Sequence, residues 1–281
     1  MPDMIELRRG KTKIIRASQS NPSQGEFEAL DLVTWDNIHS EPMPGKGAWS
    51  TTTTTNVFQL LKEAGIPVAY TKLVGERTFR GPLCSMIPLE VIVRAAIDEK
   101  SSYLKRNPGR HAGERFEPPI VEFFLKTDTA EFNGIKLPDI DSYIGQYTDS
   151  GIVVYHPKEP LDDGVFLSAN ELGWEESGMW PFLILEHIAR DAFCVAQKAW
   201  ARIDFDLCDW KVEFGFDSSG QILLADVIDN DSWRILGPDG KEYSKQNVRN
   251  GKNLVDAAKD YAYIARSSAL MLAASRRPSN S

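Results

Sequence analysis

The stretch CDWKVEFGFDSSGQILLADVIDNDSWR, residues 208–234, is the most informative in the chain. Alternation along a strand puts Asp209, Lys211 and Glu213 on one face and Trp210, Val212 and Phe214 on the other. DSSG at 217–220 reads as a hairpin turn between strands over 210–216 and 221–228. Closing that turn brings Glu213 toward Asp226 at the end of the apolar run ILLA, with Asp229, Asp231 and Arg234 in the turn beyond. Two carboxylates so placed repel unless a cation lies between them. Mg²⁺ suits the gap, because it takes one or two carboxylates and fills its shell with phosphate oxygens and water. The same spacing also fits a plain hairpin with one solvated face.

Working outward, strands are expected at 12–18 and 27–35 around the turn-forming NPSQG. GKTK at 10–13 places Lys11 and Lys13 on one side of a glycine-started hairpin, the shape of a flap over nucleotide phosphates; a solvated lysine pair reads the same way. A helix is expected over 50–64, with Val57, Phe58 and Leu61 on its buried face, Gly65 as its stop and the threonine run supplying capping hydroxyls. Further strands are expected at 67–74, at 77–94 with an interruption at Gly81-Pro82, and at 119–126. The Asp-, Gly- and Pro-rich stretch 128–178 reads as loops joining two lobes, with one short strand at 151–155. Helical spacing predicts a long core helix over 179–202, with Leu183, Ile184 and Ile188 on its apolar stripe, and a final helix over 252–274 before a frayed tail.

With 281 residues, 42% hydrophobic and 26% charged, the composition is that of a globular protein, and 32 basic against 40 acidic residues give −8. That balance argues against a nucleic-acid or membrane-coating role. Three dispersed cysteines encode neither a disulfide framework nor a zinc site, and there is neither a leader-like apolar run nor an 18-residue apolar stretch, so a reducing, cytoplasmic setting is expected. The segment around Lys46 fails the phosphate-loop spacing, because Ser40 and Gly47 stand where Gly and Ser or Thr are required. The four histidines have no ligand spacing.

Nine segments in order carry a resemblance: GKTK (10–13), GKG (45–47), FQLLKEAGIP (58–67), MIPLEVIVR (86–94), SYLKRNPG (102–109), PPIVEFFLKTD (118–128), DWKVEFGFD (209–217), LLADVIDNDSWR (223–234) and SKQNVR (244–249). The chain resembles the phosphoribosylaminoimidazole-succinocarboxamide synthase (SAICAR synthetase) family. The resemblance implies an α+β, two-lobed fold with an N-terminal antiparallel β lobe, a C-terminal α/β lobe and ATP in the cleft between them. It divides the chain into a nucleotide-flap lobe (1–88), a substrate and metal lobe (89–275) and a tail (276–281). The implied activity is ligation of carboxyaminoimidazole ribonucleotide to L-aspartate, with ATP and Mg²⁺, through an acyl phosphate. The partners are then small molecules, with oligomeric state open.

Residue by residue, the resemblance gives Lys11, Lys13 and Lys126 to the ATP phosphates, Met86 to the adenine, and Glu213 and Asp226 to Mg²⁺. It gives Arg94, Ser102, Arg106, Asp231 and Arg234 to the imidazole nucleotide side, and Asp209 and Lys211 to the reacting centre. Departures from the family pattern fall at 34–53, where threonines replace asparagines around the kept Lys46, and at 95–101, which is longer and more acidic. If Asp98 and Glu99 faced the acceptor site they would disfavour aspartate; the expectation is that this loop turns to solvent. The alternatives are a divergent ligase acting on another carboxylate and amine pair, and a non-catalytic nucleotide-binding homologue.

Overall fold

The computed structural model describes residues 4–35, 39–172, 182–249, 251 and 253–277. Its chain forms two compact units, one of residues 1–86 with 191–281 and one of residues 87–190. The residues after 190 thus group with the N-terminal segment, whereas the sequence reading placed them with 89–190.

The first unit begins with β1 (Met4–Arg9), β2 (Lys13–Ser18) and β3 (Gln24–Ala29), joined by tight turns. The charged segment MIELRR was not read as a strand, yet it pairs antiparallel with β2, and Gly10 N–H closes the hairpin on Lys13 O at 2.8 Å. The strand expected at 27–35 is two, because the chain breaks at Leu30-Asp31 before β4 (Leu32–Trp35) and its partner β5 (His39–Pro42). Helix α1 (Lys46–Glu63) starts four residues earlier than the threonine run suggested. Its N-cap is Gly45, left-handed at φ 91° and without a side-chain cap. The hydroxyls therefore do other work: Ser50 donates to Asp229 and Thr54 to Ile228 O. Val57, Phe58 and Leu61 are fully buried as expected, and Gly65 at φ 83° ends the helix while Ile66 N–H returns to Leu61 O.

Strands β6 (Lys72–Gly75) and β7 (Thr78–Pro82) complete a five-stranded sheet in the order β1-β2-β3-β7-β6. Pro67–Ala69, expected at the start of a longer strand, instead bonds to Leu224. Gly47 explains why the first turn of α1 carries glycine on both sides of Lys46. A Cβ there would meet Ala29 O at 2.7 Å and Arg77 Cδ at 2.9 Å. Gly47→Ala is expected to cost about 2 kcal/mol by overpacking, read in chemical denaturation; an isoenergetic variant would mean that the helix start can yield.

The second unit is a consecutive antiparallel meander. Strand β8 (Ser85–Ala96) enters it and leads to the short helix α2 (Ser102–Arg106), capped by Ser101 Oγ on Tyr103 N–H. It continues through β9 (Arg115–Lys126), the small ribbon β10 (Glu131–Phe132) and β11 (Ile135–Lys136), β12 (Asp141–Thr148), β13 (Gly151–Tyr155), β14 (Val165–Ser168) and the single turn α3 (Ala169–Leu172). The stretch expected to be loops with one short strand at 151–155 does hold that strand, as β13, and also holds β10, β11, β12, β14 and the turn α3. Its Asp, Gly and Pro residues make the tight connections of a meander, and Ile144, Ile152, Val154 and Leu167 are its buried residues.

Helix α4 (Phe182–Ala201) corresponds to the long core helix; residues 179–181 of that expectation lie outside the described residues. Its buried stripe is Phe182, Leu185, Ala189, Ala192, Phe193 and Ala196, while Leu183 and Ile184 are exposed. Leu183 and Ile184 thus lie off the stripe their spacing suggested. Returning to the first unit, β15 (Asp206–Phe216), β16 (Ile222–Ala225) and β17 (Trp233–Leu236) form the hairpin and its flank, followed by the turn α5 (Gln246–Arg249) and helix α6 (Leu254–Ser275). Asn253 caps α6 through Asp256 N–H; Tyr261, Ile264, Ser268 and Leu272 on its three-and-four spacing are buried, and Leu254 and Ala258 partly so. Asn56 of α1 donates to Ser268 across the helix pair at 2.9 Å.

Candidate active site

The hairpin holds the chemistry of the first unit. Trp210, Val212 and Phe214 are at most 2% exposed, as one face of a core strand should be. The other face is not solvated: Asp209 is 5% and Glu213 8% exposed. A solvated face would leave both in water, so the plain-hairpin reading fails; buried carboxylates are retained only where they are paired.

Each has a cationic neighbour. Arg234, directly opposite Asp209 in the β15–β17 register, donates through Nη1 to Asp209 Oδ2 at 2.6 Å. Lys211 Nζ lies 3.8 Å from Glu213 Oε1. Glu213 pairs with Ala225, the last residue of β16, so Asp226 follows immediately. Asp226 sits at φ 61°, a left-handed conformation that frees it from strand alternation and that Asp tolerates better than most residues. Its Oδ1 accepts the Val227 N–H at 2.7 Å and the ammonium of Lys13 from the β1–β2 hairpin. The flap lysine and the hairpin carboxylate, 213 positions apart, therefore meet, and Lys11 stands exposed in the same tight turn.

Two carboxylates are the number of protein ligands that Mg²⁺ asks for when phosphate and water supply the rest. Among the described residues no group of three or more His, Cys, Asp or Glu is arranged around a metal position. The chemistry of Glu213 and Asp226, two carboxylates at adjoining positions of one hairpin, fits what Mg²⁺ takes from a protein.

Behind this hairpin lies a network that the sequence reading only touched. Asp231, half-buried, ion-pairs with Lys46 at 3.2 Å and Lys245 at 3.5 Å and accepts the Tyr261 hydroxyl. Lys46 is 3% exposed and also lies over the Tyr261 ring at 5.4 Å. Burial by itself would push the Lys46 ammonium down, yet Asp231 and then Asp229 more than offset it, so its pKa stands above the ordinary lysine value. Burial would raise the Asp231 carboxyl, but Lys46 and Lys245 hold it at about 2. Asp229, pushed up by burial and by the charge of Asp231, accepts Ser50 on one oxygen and the Asp231 N–H on the other at 2.8 Å. One of two adjacent acids is thus held ionised and its neighbour drawn toward the neutral form. Lys46, Asp229, Lys245 and Tyr261 were not singled out as site residues; the signal available was a lysine flanked by two glycines at a helix start.

Other candidates lie elsewhere in the chain. Met86, the last residue of the first unit, is 44% exposed, with its sulfur 3.2 Å from where a Cβ on Gly215 would sit. In the second unit Lys126 faces Glu90 at 3.8 Å and is partly exposed. Ser102 is half-buried at the start of α2, whose cap is the neighbouring Ser101. Arg94 and Arg106 both bond to Glu122 within the buried part of that unit. The acidic loop has Glu99 and Lys100 exposed, and the Asp98 carboxylate turned onto the Lys100 N–H at 2.8 Å, an outward arrangement.

Comparison with known proteins adds the following. The sequence profile of the SAICAR synthetase family matches residues 6–148 and 173–265. A phosphoribosylaminoimidazole-succinocarboxamide synthase of Roseiflexus sp. (strain RS-1) is 37% identical over 248 residues, covering 87% of this chain and 86% of that protein. The bifunctional phosphoribosylaminoimidazole carboxylase/succinocarboxamide synthetase of Mus musculus is 34% identical over 253 residues, 89% of this chain but 53% of that protein. In structure, a SAICAR synthetase in complex with ADP superimposes with a TM-score of 0.69 at 23% identity, over 92% of this chain and 96% of that one. That likeness establishes the α+β fold.

Proposed function

This chain belongs to the SAICAR synthetase family, and we propose from that membership that it joins carboxyaminoimidazole ribonucleotide to L-aspartate at the expense of ATP. The observation that carries the reading is the row Asp209-Lys211-Glu213 on β15, its two carboxylates buried and Lys211 partly exposed between them, with Arg234 on one end and the Lys13–Asp226 contact beyond the other. A protein that only bound a nucleotide would gain nothing from burying two carboxylates on one strand face.

The carboxylate oxygen of the imidazole nucleotide forms a bond to the γ-phosphorus as the bond to ADP breaks. The amine of aspartate then attacks the acyl carbon, loses a proton, and phosphate departs with that carboxylate oxygen. Such a transfer asks the protein for position and charge neutralisation more than for covalent chemistry. Lys11 and Lys13 hold ATP phosphates and Met86 packs on the adenine; for Lys126, in the second unit, a phosphate role rests on family membership alone. Glu213 and Asp226 would hold Mg²⁺, which would supply neutralisation of phosphate charge. Lys211 faces the charge that develops on the transferred group. Asp209, fixed by Arg234, orients the incoming amine and accepts its proton. Arg94, Ser102 and Arg234 serve the nucleotide phosphate. Arg106 and Asp231 are given to the same side by the family; like Arg94 and Arg234, both also have protein partners, Glu122 and Lys46. In the stretch 95–101 Ala95, Ala96, Ile97 and Ser101 are buried while Glu99 and Lys100 are exposed, and the exposure of Glu99 supports an acceptor site open to a dicarboxylic amine.

The test of the mechanism is isotopic. With ¹⁸O in the substrate carboxylate, one labelled oxygen should appear in the released phosphate; unlabelled phosphate would rule out an acyl phosphate. In the same assay Arg234→Lys should raise KM for the imidazole nucleotide about tenfold and leave KM for ATP within about twofold, because a fork contact becomes a point contact. Equal effects on both would move Arg234 to the ATP side.

A further inference from the structure

We propose that Lys13 and a divalent cation are alternative partners of Asp226, so that the metal releases this lysine to the nucleotide phosphates and makes the site select metal-bound over metal-free nucleotide. The inference deepens the reading of Glu213 and Asp226 as the Mg²⁺ pair and of Lys13 as a phosphate lysine, and it rests on that reading. It begins with which parts can move. Asp226 Oδ1 accepts the N–H of the next residue, Val227, at 2.7 Å, and the left-handed backbone at φ 61° holds that carboxylate at the end of β16. The backbone of Lys13 is held as well: its carbonyl accepts Gly10 N–H at 2.8 Å, and it stands opposite Ala29 in the β2–β3 ladder. The Lys13 side chain is the movable part, an ammonium on a flexible four-carbon stem. It ends on Asp226 Oδ1, 213 positions away, with both side chains about a quarter exposed.

Each carboxylate of the pair has an ammonium of this chain near it, Lys13 on Asp226 and Lys211 at 3.8 Å from Glu213. The Lys13 contact is the closer of the two, and it reaches in from a different hairpin. A divalent cation on Asp226 stands against that same ammonium, and like charges so close repel. Metal alone therefore has to turn Lys13 out. Metal-free nucleotide has the opposite difficulty: it draws Lys13 away and leaves the Asp226 carboxylate facing phosphate charge. Metal and nucleotide together resolve both conflicts, because the cation takes the carboxylate while the lysine takes a phosphate oxygen. The two ligands must then bind with positive cooperativity, and the share of it that runs through Lys13 equals the strength of the Lys13–Asp226 contact.

The experiment titrates Mn²⁺, read by loss of its free paramagnetic signal, into wild type, Lys13→Met, Lys13→Arg and Asp226→Asn in the absence of nucleotide. ADP is then titrated by calorimetry, once with a chelator and once with saturating Mn²⁺, with thermal melting alongside. Lys13→Met, which keeps the stem and drops the charge, should bind Mn²⁺ about fivefold tighter than wild type, the ratio for a partly exposed pair at the strong end of its range. The factor by which Mn²⁺ improves ADP affinity should fall by the same ratio in Lys13→Met, since binding free energies are reciprocal. Lys13→Arg, which keeps the charge, should stay within about twofold of wild type in Mn²⁺ affinity; an arginine variant that behaves like Lys13→Met would trace the effect to shape and overturn the inference. Unchanged Mn²⁺ affinity in Asp226→Asn overturns the metal reading and the inference with it. Weakened Mn²⁺ binding in Asp226→Asn beside wild-type affinity in Lys13→Met overturns the inference alone. A lower melting temperature in Lys13→Met with both ratios unchanged marks the contact as merely structural and also overturns it. If Lys13→Met does not fold, Lys13→Gln decides by the same two ratios.

Discussion

Asp226→Asn should lower kcat by about a thousandfold, the size of effect seen when one preorganised charge is removed from a transition state that accumulates phosphate charge. The change keeps the shape of the side chain and keeps Oδ1 as acceptor for the Val227 N–H, so the left-handed turn after β16 stays closed. What is lost is the negative charge that faces Lys13. That pair is about a quarter exposed on each side, so its removal should cost under about 1 kcal/mol of stability. Activity and folding should therefore separate: a melting curve close to wild type beside a nearly silent enzyme. A variant with wild-type kcat would remove Asp226 from the metal and phosphate side of the site.

The second large effect is on stability. Asp231→Asn leaves the ammonium groups of Lys46 and Lys245 without their shared anion, and Lys46 cannot turn to water because it is buried among Asp229, Asp231 and Tyr261. Breaking a buried pair from one side costs about 3–5 kcal/mol, and the partial exposure of Asp231 puts the expected loss near about 3 kcal/mol. The acid side of the stability profile gives an independent reading. Lys46 and Lys245 overcome the effect of burial and hold Asp231 at about 2, below the usual carboxylate value of about 3.9, so the unfolded chain binds that proton more readily than the folded one. The contribution of Asp231 is full above about pH 4 and lost as pH falls toward about 2. Denaturation of wild type and Asp231→Asn should differ by about 3 kcal/mol at neutral pH and converge below about pH 2; a constant gap across that window would mean that Asp231 acts through shape rather than charge.

Local patterns were legible where one face of an element is apolar and the other polar. The hairpin at 208–234 showed its alternation and its turn, and α6 its helical spacing, because a one-sided apolar pattern writes itself into sequence even where, as on β15, the polar face is buried as well. Of the meander β12–β14 only β13, expected at 151–155, was legible: the turns around it bring in the Asp, Gly and Pro residues that otherwise mark loops. Leu183 and Ile184 show the same limit from the other direction, since apolar residues on exposed positions are ordinary and periodicity cannot tell them from core.

The candidate site divides in the same way. Glu213 and Asp226 could be paired from hairpin register, and Lys13 from its own hairpin, but that Lys13 reaches Asp226 depends on contacts 213 residues apart. The Lys46–Asp231–Tyr261 network joins three distant segments, so no local window contains it. Glu122 offered a signal that passed unread: a lone acid inside the apolar run PPIVEFFLK calls for a buried cation, and two arginines supply it.

The central claim is that these groups join one carboxylate to one amine, and ADP formation by purified protein tests it most directly. With ATP, Mg²⁺, carboxyaminoimidazole ribonucleotide and L-aspartate all present, ADP and the amide product should form in equal amounts, and omission of the ribonucleotide or of aspartate should abolish the amide. Turnover that ignores aspartate but proceeds with a neutral or cationic amine, or with another carboxylate, would contradict the account.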